Sequence, residues 1–306
     1  MKKIWSSLKP YLHWVILGGT LFFLAKAFKD HWREVAGIRI DATGWAMLVI
    51  ALVVTLLAHT WSGWVWIWIL RAFKQPVGQL WALQVYLKTN IAKYLPGNVW
   101  HYYGRISAVT RAGGSLGAAS ISVLLEPLLM AAAALAIALA SSGLGLVATA
   151  SAPGTWGLQI LGLSVVLLGV HPRILNPVIQ QLSRSKKNVT NTGTLKIEYY
   201  PLLPLLGEMG FLGLRGTGFL FTLMALVSIN PAQIPQLLSA FSFAWLMGLI
   251  VPGAPGGLGI FEATAIALLN QQFSAGLLLT AVALFRMVSI LAEVTAAGLA
   301  VASERF

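Results

Sequence analysis

Apolar residues run along this chain in blocks far longer than a soluble helix or strand needs. Ala42 to Leu70, Pro127 to Val170 and Gly216 to Phe261 contain no Lys, Arg, Asp or Glu, and each exceeds the ~20 residues that cross a bilayer as a helix. The pattern predicts spans at Tyr11 to Phe28, Thr43 to Leu70, Gly117 to Ala140, Trp156 to Val170, Tyr199 to Ser228 and Gly276 to Ala302. A polar loop, Lys29 to Asp41, separates the first two. Trp61, Trp64, Trp66 and Trp68 precede Arg71 and Lys74, as an aromatic belt at one membrane face would. A stacking platform for a sugar is the weaker reading of that stripe.

Two segments do not fit simple spans. Leu80 to Tyr94 and Val99 to Arg111 flank Pro96-Gly97, and Ile234 to Val251 and Gly257 to Asn270 flank the run Pro252-Gly253-Ala254-Pro255-Gly256-Gly257. Arms of about 13 to 18 residues reach roughly 20–27 Å, short of the ~30 Å hydrocarbon core. Both read as re-entrant hairpins with Pro96, Gly97, Pro252, Gly253 and Pro255 at their tips, since broken backbone at membrane depth must be buried in protein or line a wet cavity. The order span, span, hairpin, span occurs twice, and an odd number of spans turns the second set upside down. The two tips lie about half the chain apart. Such inverted repeats with interrupted helices mark transporters whose site lies near the midplane. The expected fold is therefore an all-α polytopic membrane protein of about six spanning helices plus two re-entrant hairpins, a single integral membrane domain over 1–306 with pseudo-repeat halves near 1–152 and 153–306.

Composition agrees: 58% of the 306 residues are hydrophobic and 10% charged, against about 45–50% and about 25% in soluble domains. Disorder is excluded with solubility, because it needs low hydrophobicity and dense charge. The net charge of +12 is scattered between apolar segments, so it suits an anionic membrane surface rather than nucleic acid. Cysteine is absent, which removes disulfides, thiolate nucleophiles and zinc–thiolate sites. Basic residues gather on one side: Lys2, Lys3, Lys9, Arg71, Lys74, Arg111, the cluster Arg173 to Lys196, and Arg305. The opposite loops Ser141 to Thr155, Ile229 to Gln233 and Gln271 to Ala275 carry none. The positive-inside rule then places both termini in the cytoplasm of a multi-pass inner-membrane protein. Met1-Lys2-Lys3 and the apolar stretch ending at Ala25-Lys26-Ala27 read as a retained first helix rather than a cleaved signal. Asn188-Val189-Thr190 matches a glycosylation acceptor, but it falls in this inner loop.

Ionisable groups at membrane depth are functional candidates by default. Glu126 stands alone in its span beside Pro127, Glu208 and Arg215 lie two turns apart, as do Arg286 and Glu293, Lys93 and Arg105 flank the first tip, and Glu262 follows the second. Arg forks chelate phosphate oxygens in pairs, Lys adds a mobile point charge, and helix N-termini after a Gly-rich break add partial positive charge. Lys93, Asn98, His101, Arg105, Glu126, Gly256, Gly257, Glu262 and Arg286 are the candidate substrate-binding residues. The plainer alternative is that Arg286 pairs with Glu126 or Glu262 and locks helices together. His13, His31, His59, His101 and His171 show no metal-ligand spacing, and Gly256-Gly257-Leu258-Gly259 lacks the strand and the Lys-Ser/Thr of a nucleotide loop, so no metal, cofactor or catalytic group is expected. His59 reads as a hydrogen-bonded helix contact. Gly113 with Gly117, Gly213 with Gly216, and Ala131 to Ala134 read as small-residue helix contacts.

The block Lys93-Tyr94-Leu95-Pro96-Gly97-Asn98-Val99-Trp100 with Arg105, the lone Glu126, the block Pro255-Gly256-Gly257-Leu258-Gly259-Ile260-Phe261-Glu262, and Arg286 resemble the lysylphosphatidylglycerol synthetase transmembrane (flippase-like) family over nearly the whole chain. The resemblance implies movement of a phospholipid or lipid-linked head group between leaflets. The family tends to follow its lone acid with Arg and then Asp, where this chain has Pro127 and Leu128, and the soluble aminoacyl-transfer domain of the full synthetases is missing. The expected function is a flippase-like protein, a transporter rather than an enzyme, with membrane lipids as partners. In it Lys93, Arg105 and Arg286 hold phosphate, and Glu126 and Glu262 balance them. The rivals are an integral-membrane lipid head-group transferase, with Glu126 or Glu262 as base, and an accessory subunit that presents lipid to a partner enzyme, or to a second copy, through Arg173 to Lys196.

Overall fold

The computed structural model describes residue 29 and residues 32–95, 98–143, 155–184, 196–251 and 255–304. The predicted span Tyr11 to Phe28, the tip residues Pro96, Gly97, Pro252 and Gly253, and Asn188-Val189-Thr190 lie outside the described residues. Every described element is helical: α1 (Trp32–Gly37), α2 (Ala42–Ala72), α3 (Gln79–Asn90), a 3₁₀ turn (Ile91–Tyr94), α4 (Trp100–Arg111), α5 (Leu116–Gly143), α6 (Thr155–Gly169), α7 (Pro172–Arg184), α8 (Leu202–Met224), α9 (Ile234–Ile250), a second turn (Pro255–Gly257), α10 (Ile260–Leu269) and α11 (Ala275–Ala302). The helices follow the predicted spans and arms to within a few residues. The loop expected between Lys29 and Asp41 contains the short α1, and the basic segment after Val170 contains α7.

Among the described residues, four helices are long and apolar enough to cross a membrane: Ala42–Ala72, Leu116–Ser141, Pro231–Ile250 and Ala275–Ala302, with mean hydropathy from 1.3 to 2.3. The third differs from expectation, because a capped 3₁₀ turn at Pro231–Gln233 extends the arm before the second break to 20 residues. Caps set the other ends. Asp41 accepts from Gly44 N at 2.7 Å to start α2, and Ser274 accepts from Leu277 N to start α11, each satisfying a donor the helix leaves open. Beside a hydrophobic core, Val53, Leu57, Val165, Leu168, Leu291 and Val294 are exposed while Glu208, Arg215, Thr222 and Glu293 are buried. Lipid would cover such an apolar surface without penalty.

Small residues let the long helices approach. A Cβ at Gly207 of α8 would lie 2.6 Å from Val65 of α2, and one at Gly218 would lie 2.6 Å from Thr55 Oγ1. Gly216 meets Leu238 of α9, and Ala131 to Ala134 are buried, as close helix contacts in a membrane require. Gly113 and Gly213 do not make such contacts, since a Cβ at either would meet nothing within 4 Å. Gly113 instead has φ +88° just past the end of α4, where only glycine turns without strain. The tryptophan stripe is also not a simple belt. Trp66 is fully buried, and Trp61 donates to Gly207 O at 2.7 Å and packs edge-on against Trp68. On these helices the indoles serve packing, because a ring against a glycine fills the space its missing side chain leaves. Phe219, Phe241, Phe261 and Phe285 join α8, α9, α10 and α11 in one ring cluster with centroids 5.5 to 6.3 Å apart. Outside this bundle, Lys74 and Glu198 pair at 2.8 Å; their hydrogen bond holds the ammonium above, and the carboxyl below, its ordinary pKa.

Candidate functional site

Each predicted break is real and the two meet. The first ends α3 in a 3₁₀ turn, passes Leu95 in extended backbone and Asn98 at φ +50°, and restarts at Trp100. Beyond α9, the second takes Gly256, Gly257 and Gly259 through φ +59°, +70° and +82° before α10. These values belong to the left-handed region that glycine enters freely. A Cβ at Gly256 would lie 3.0 Å from Tyr94 Cε1 and 3.9 Å from Lys93 Cγ, and one at Gly257 would lie 3.1 Å from Gly248 O. Glycine is therefore what lets the second break sit on the first and on its own preceding arm. Pro255 stands in the turn itself.

A cavity of about 110 Å³ lies at this junction, room for several waters. Lys93, Asn98, His101, Arg105, Glu126, Gly256, Gly257 and Arg286 all line it, so residues distant in sequence are brought together. Glu262 is the exception; it stands behind Arg286 and holds it. Glu262 also accepts from Gly259 N, capping the helix that carries it. Arg286 reaches Glu262 Oε1 from Nε at 3.0 Å and Gly256 O from Nη1 at 3.0 Å, so one guanidinium pins the second break to α11. The helix-locking alternative is thus realised for Arg286 with Glu262.

Two further ion pairs complete the wall. Arg105 Nη1 meets Glu126 Oε2 at 2.6 Å, both side chains sealed from solvent. Tyr86 donates to Glu126 at 2.6 Å, Ser62 lies 2.6 Å from Tyr86 Oη, and Asn90 accepts from Arg105 at 3.3 Å. The guanidinium lies 3.7 Å over the Tyr86 ring. Glu126 thus has a cationic partner despite lacking one beside it in sequence, because α4 folds back along α5 after a short turn. Lys93 meets Glu293 at 2.6 Å, with His59 Nε2 3.2 Å from the same oxygen.

Several site residues escaped the sequence reading. Glu293 was seen only beside Arg286 on its own helix, but its partner Lys93 comes from the first break. His59, Tyr86, Asn90 and Trp245 line the cavity without motif; the signal available was a polar or indole side chain within an otherwise apolar segment. Arg215 also lines it, 3% exposed. Its Nε and Nη1 have no hydrogen-bond partner among the described residues, and its charge rests over the rings of Trp245 and Phe285 at 5.1 and 4.8 Å. Glu208 lies two turns from Arg215 along α8. It is fully buried and neither oxygen has a hydrogen-bond partner among the described residues; it does not line the cavity.

No protein-family model matches this sequence. No curated protein matches it either.

Proposed function

We propose that this chain is a flippase-like multi-pass membrane protein that moves a phospholipid or lipid-linked anionic head group between leaflets. The observation that carries the reading is the convergence of two helix breaks and four basic side chains, Lys93, Arg105, Arg215 and Arg286, on one cavity inside a bundle with membrane-length apolar helices. Polar groups at that depth are costly and mark substrate paths, and broken backbone is tolerated there only against protein or water. In this reading six spans and two re-entrant hairpins form an inverted repeat, with both termini cytoplasmic in the inner membrane. The motif resemblance to the flippase-like transmembrane family of lysylphosphatidylglycerol synthetases supports the same assignment.

The ion pairs divide the work. Arg105 and Glu126 are sealed, so they fix the first break against α5. Lys93 and Arg286 keep 17% and 18% side-chain exposure, so they are the paired cations that an incoming anion reaches. A paired cation takes a phosphate by exchanging one acceptor for another, which loosens Lys93 from Glu293 or Arg286 from Glu262. Either exchange frees one break from α11, the helix that carries both Glu293 and Arg286. The head group crosses in the cavity while acyl chains stay in lipid, and an ion gradient or the substrate's own gradient drives it.

Leaflet sidedness in proteoliposomes tests the proposal. A fluorescent phospholipid in the inner leaflet becomes accessible to an impermeant quencher faster with protein than in empty liposomes, and Arg286→Ala slows it. Equal rates with and without protein refute transport, and equal rates for wild type and Arg286→Ala refute the assigned role.

A further inference from the structure

Of the four cations that line the cavity, three have a carboxylate partner. Lys93, Arg105 and Arg286 each face a carboxylate, Glu293, Glu126 and Glu262 respectively. Arg215 has no carboxylate at ion-pair distance among the described residues, and two of its nitrogens lack acceptors. Ring faces take up part of its charge, but they accept no conventional hydrogen bond from the guanidinium edge. Among the described residues the indole N–H of Trp245 is likewise buried without an acceptor. Trp245 is held in place by Phe211 at 5.6 Å and by stacking on Phe241 at 6.1 Å, and it lines the same cavity. Buried donors are normally satisfied. A guanidinium and an indole that line one cavity and carry unfilled buried donors form a seat awaiting an anion.

Taking the lipid-transport reading as its basis, we propose that Arg215 and the Trp245 N–H are the seat of the substrate's anionic group, and that the seat takes a phosphodiester bearing a single negative charge. The guanidinium and the indole can each claim one non-bridging oxygen, leaving the two ester arms to run toward lipid and toward the polar head. One unpaired cation answers one negative charge. Lys93 and Arg286 exchange acceptors only while the head group passes, so at the seat a second charge on the ligand would have to hold one of the three ion pairs open to find a partner.

The test is binding of short-chain amphiphiles to the full chain in neutral detergent, measured by titration calorimetry at pH 8. Dihexanoyl phosphatidylglycerol, a monoanionic diester, is expected to bind at least about 10-fold tighter than the uncharged dihexanoylglycerol, as one charge-assisted contact provides. Arg215→Gln abolishes that preference, and Trp245→Phe, which keeps the ring and loses the N–H, weakens the diester about 3- to 10-fold. Exposed Lys74→Gln leaves binding unchanged. The proposal is overturned if folded Arg215→Gln binds the diester as wild type does. It is also overturned if dihexanoyl phosphatidic acid, doubly charged above its second pKa of about 6, binds 10-fold tighter than the diester, or if hexanoate binds as well as the diester. Should Arg215→Gln fail to fold, wild-type affinity in both Arg215→Lys and Trp245→Phe overturns it. Glycerophosphoglycerol, which lacks acyl chains, separates the sources of the same chemistry: binding equal to the lipid's keeps the seat and refutes lipid as its ligand. Arg215-dependent binding without leaflet exchange refutes transport alone, and leaflet exchange untouched by Arg215→Gln refutes the seat alone.

Discussion

Removing the acid from the sealed pair Arg105–Glu126 is the most informative single perturbation of this fold. At an effective dielectric of about 20, unit charges at the observed 2.6 Å separation attract by roughly 6 kcal/mol, and most of that offsets the desolvation of both groups. Glu126→Ala withdraws the attraction and leaves the desolvated guanidinium in place, with Asn90 Oδ1 at 3.3 Å as its remaining side-chain acceptor. Tyr86 keeps Ser62, so its loss is small beside that of Arg105. Orphaning one member of a buried pair costs about 3–5 kcal/mol. The double variant Arg105→Met with Glu126→Leu leaves no buried charge and is expected to recover to within about 1 kcal/mol of wild type. Reversible unfolding in mixed detergent micelles, followed by far-ultraviolet circular dichroism, gives all three differences. The coupling between the two positions should be at least about 3 kcal/mol. A Glu126→Ala loss below about 1 kcal/mol, or a double variant as unstable as the summed singles, would show that the pair is not buried as described and would sink the role given to it in fixing the first break.

Two glycine substitutions test the packing in the same assay. Gly207→Ala places a methyl 2.6 Å from Val65 Cγ2 and 2.8 Å from Trp68 Cζ3, and should destabilise by about 1–3 kcal/mol through overpacking. Gly213→Ala on the same helix meets nothing within 4 Å and should be neutral, or up to about 1 kcal/mol stabilising from helix propensity; equal effects at the two positions would refute the α2–α8 contact. Gly256→Ala combines a left-handed backbone with a methyl 3.0 Å from Tyr94. It should cost about 1–3 kcal/mol and slow leaflet exchange out of proportion to that loss, whereas unaltered exchange would mean that the meeting of the two breaks is not used in transport.

How much of this molecule was legible depends on which pattern carried the information. The breaks were readable because proline and glycine stop helices by their own backbone chemistry, and Lys93, Asn98, Gly256 and Gly257 could be placed from that alone. Ion-pair partners were not readable. Spacing reports which residues share a face of one helix, and so set Glu293 beside Arg286, but Lys93 reaches Glu293 from a separate segment. The belt assigned to Trp61, Trp64, Trp66 and Trp68 failed on Trp66 for a related reason: a helix apolar on all sides has no hydrophobic face to tell inside from outside.

Polar positions carry that information instead. On α2, Thr55, His59 and Ser62 are the buried polar residues, and they fall at i, i+4 and i+7 on a single stripe that continues to Trp66. On α8 the buried Glu208, Arg215 and Thr222 recur every two turns, and on α11 Ser289 and Glu293 share a face with Arg286. In water, apolar side chains are driven inward and their period reveals the core. In a lipid-covered bundle the solvent is itself apolar, so the groups with something to lose by facing out are the polar ones. Their period locates the interior here, and on each of these three helices it points to a wall of the same cavity, through His59, Arg215 and Arg286. The inward stripe and the candidate site are thus one pattern: the scarce polar residues that orient each helix are also the ones with the chemistry to bind a head group.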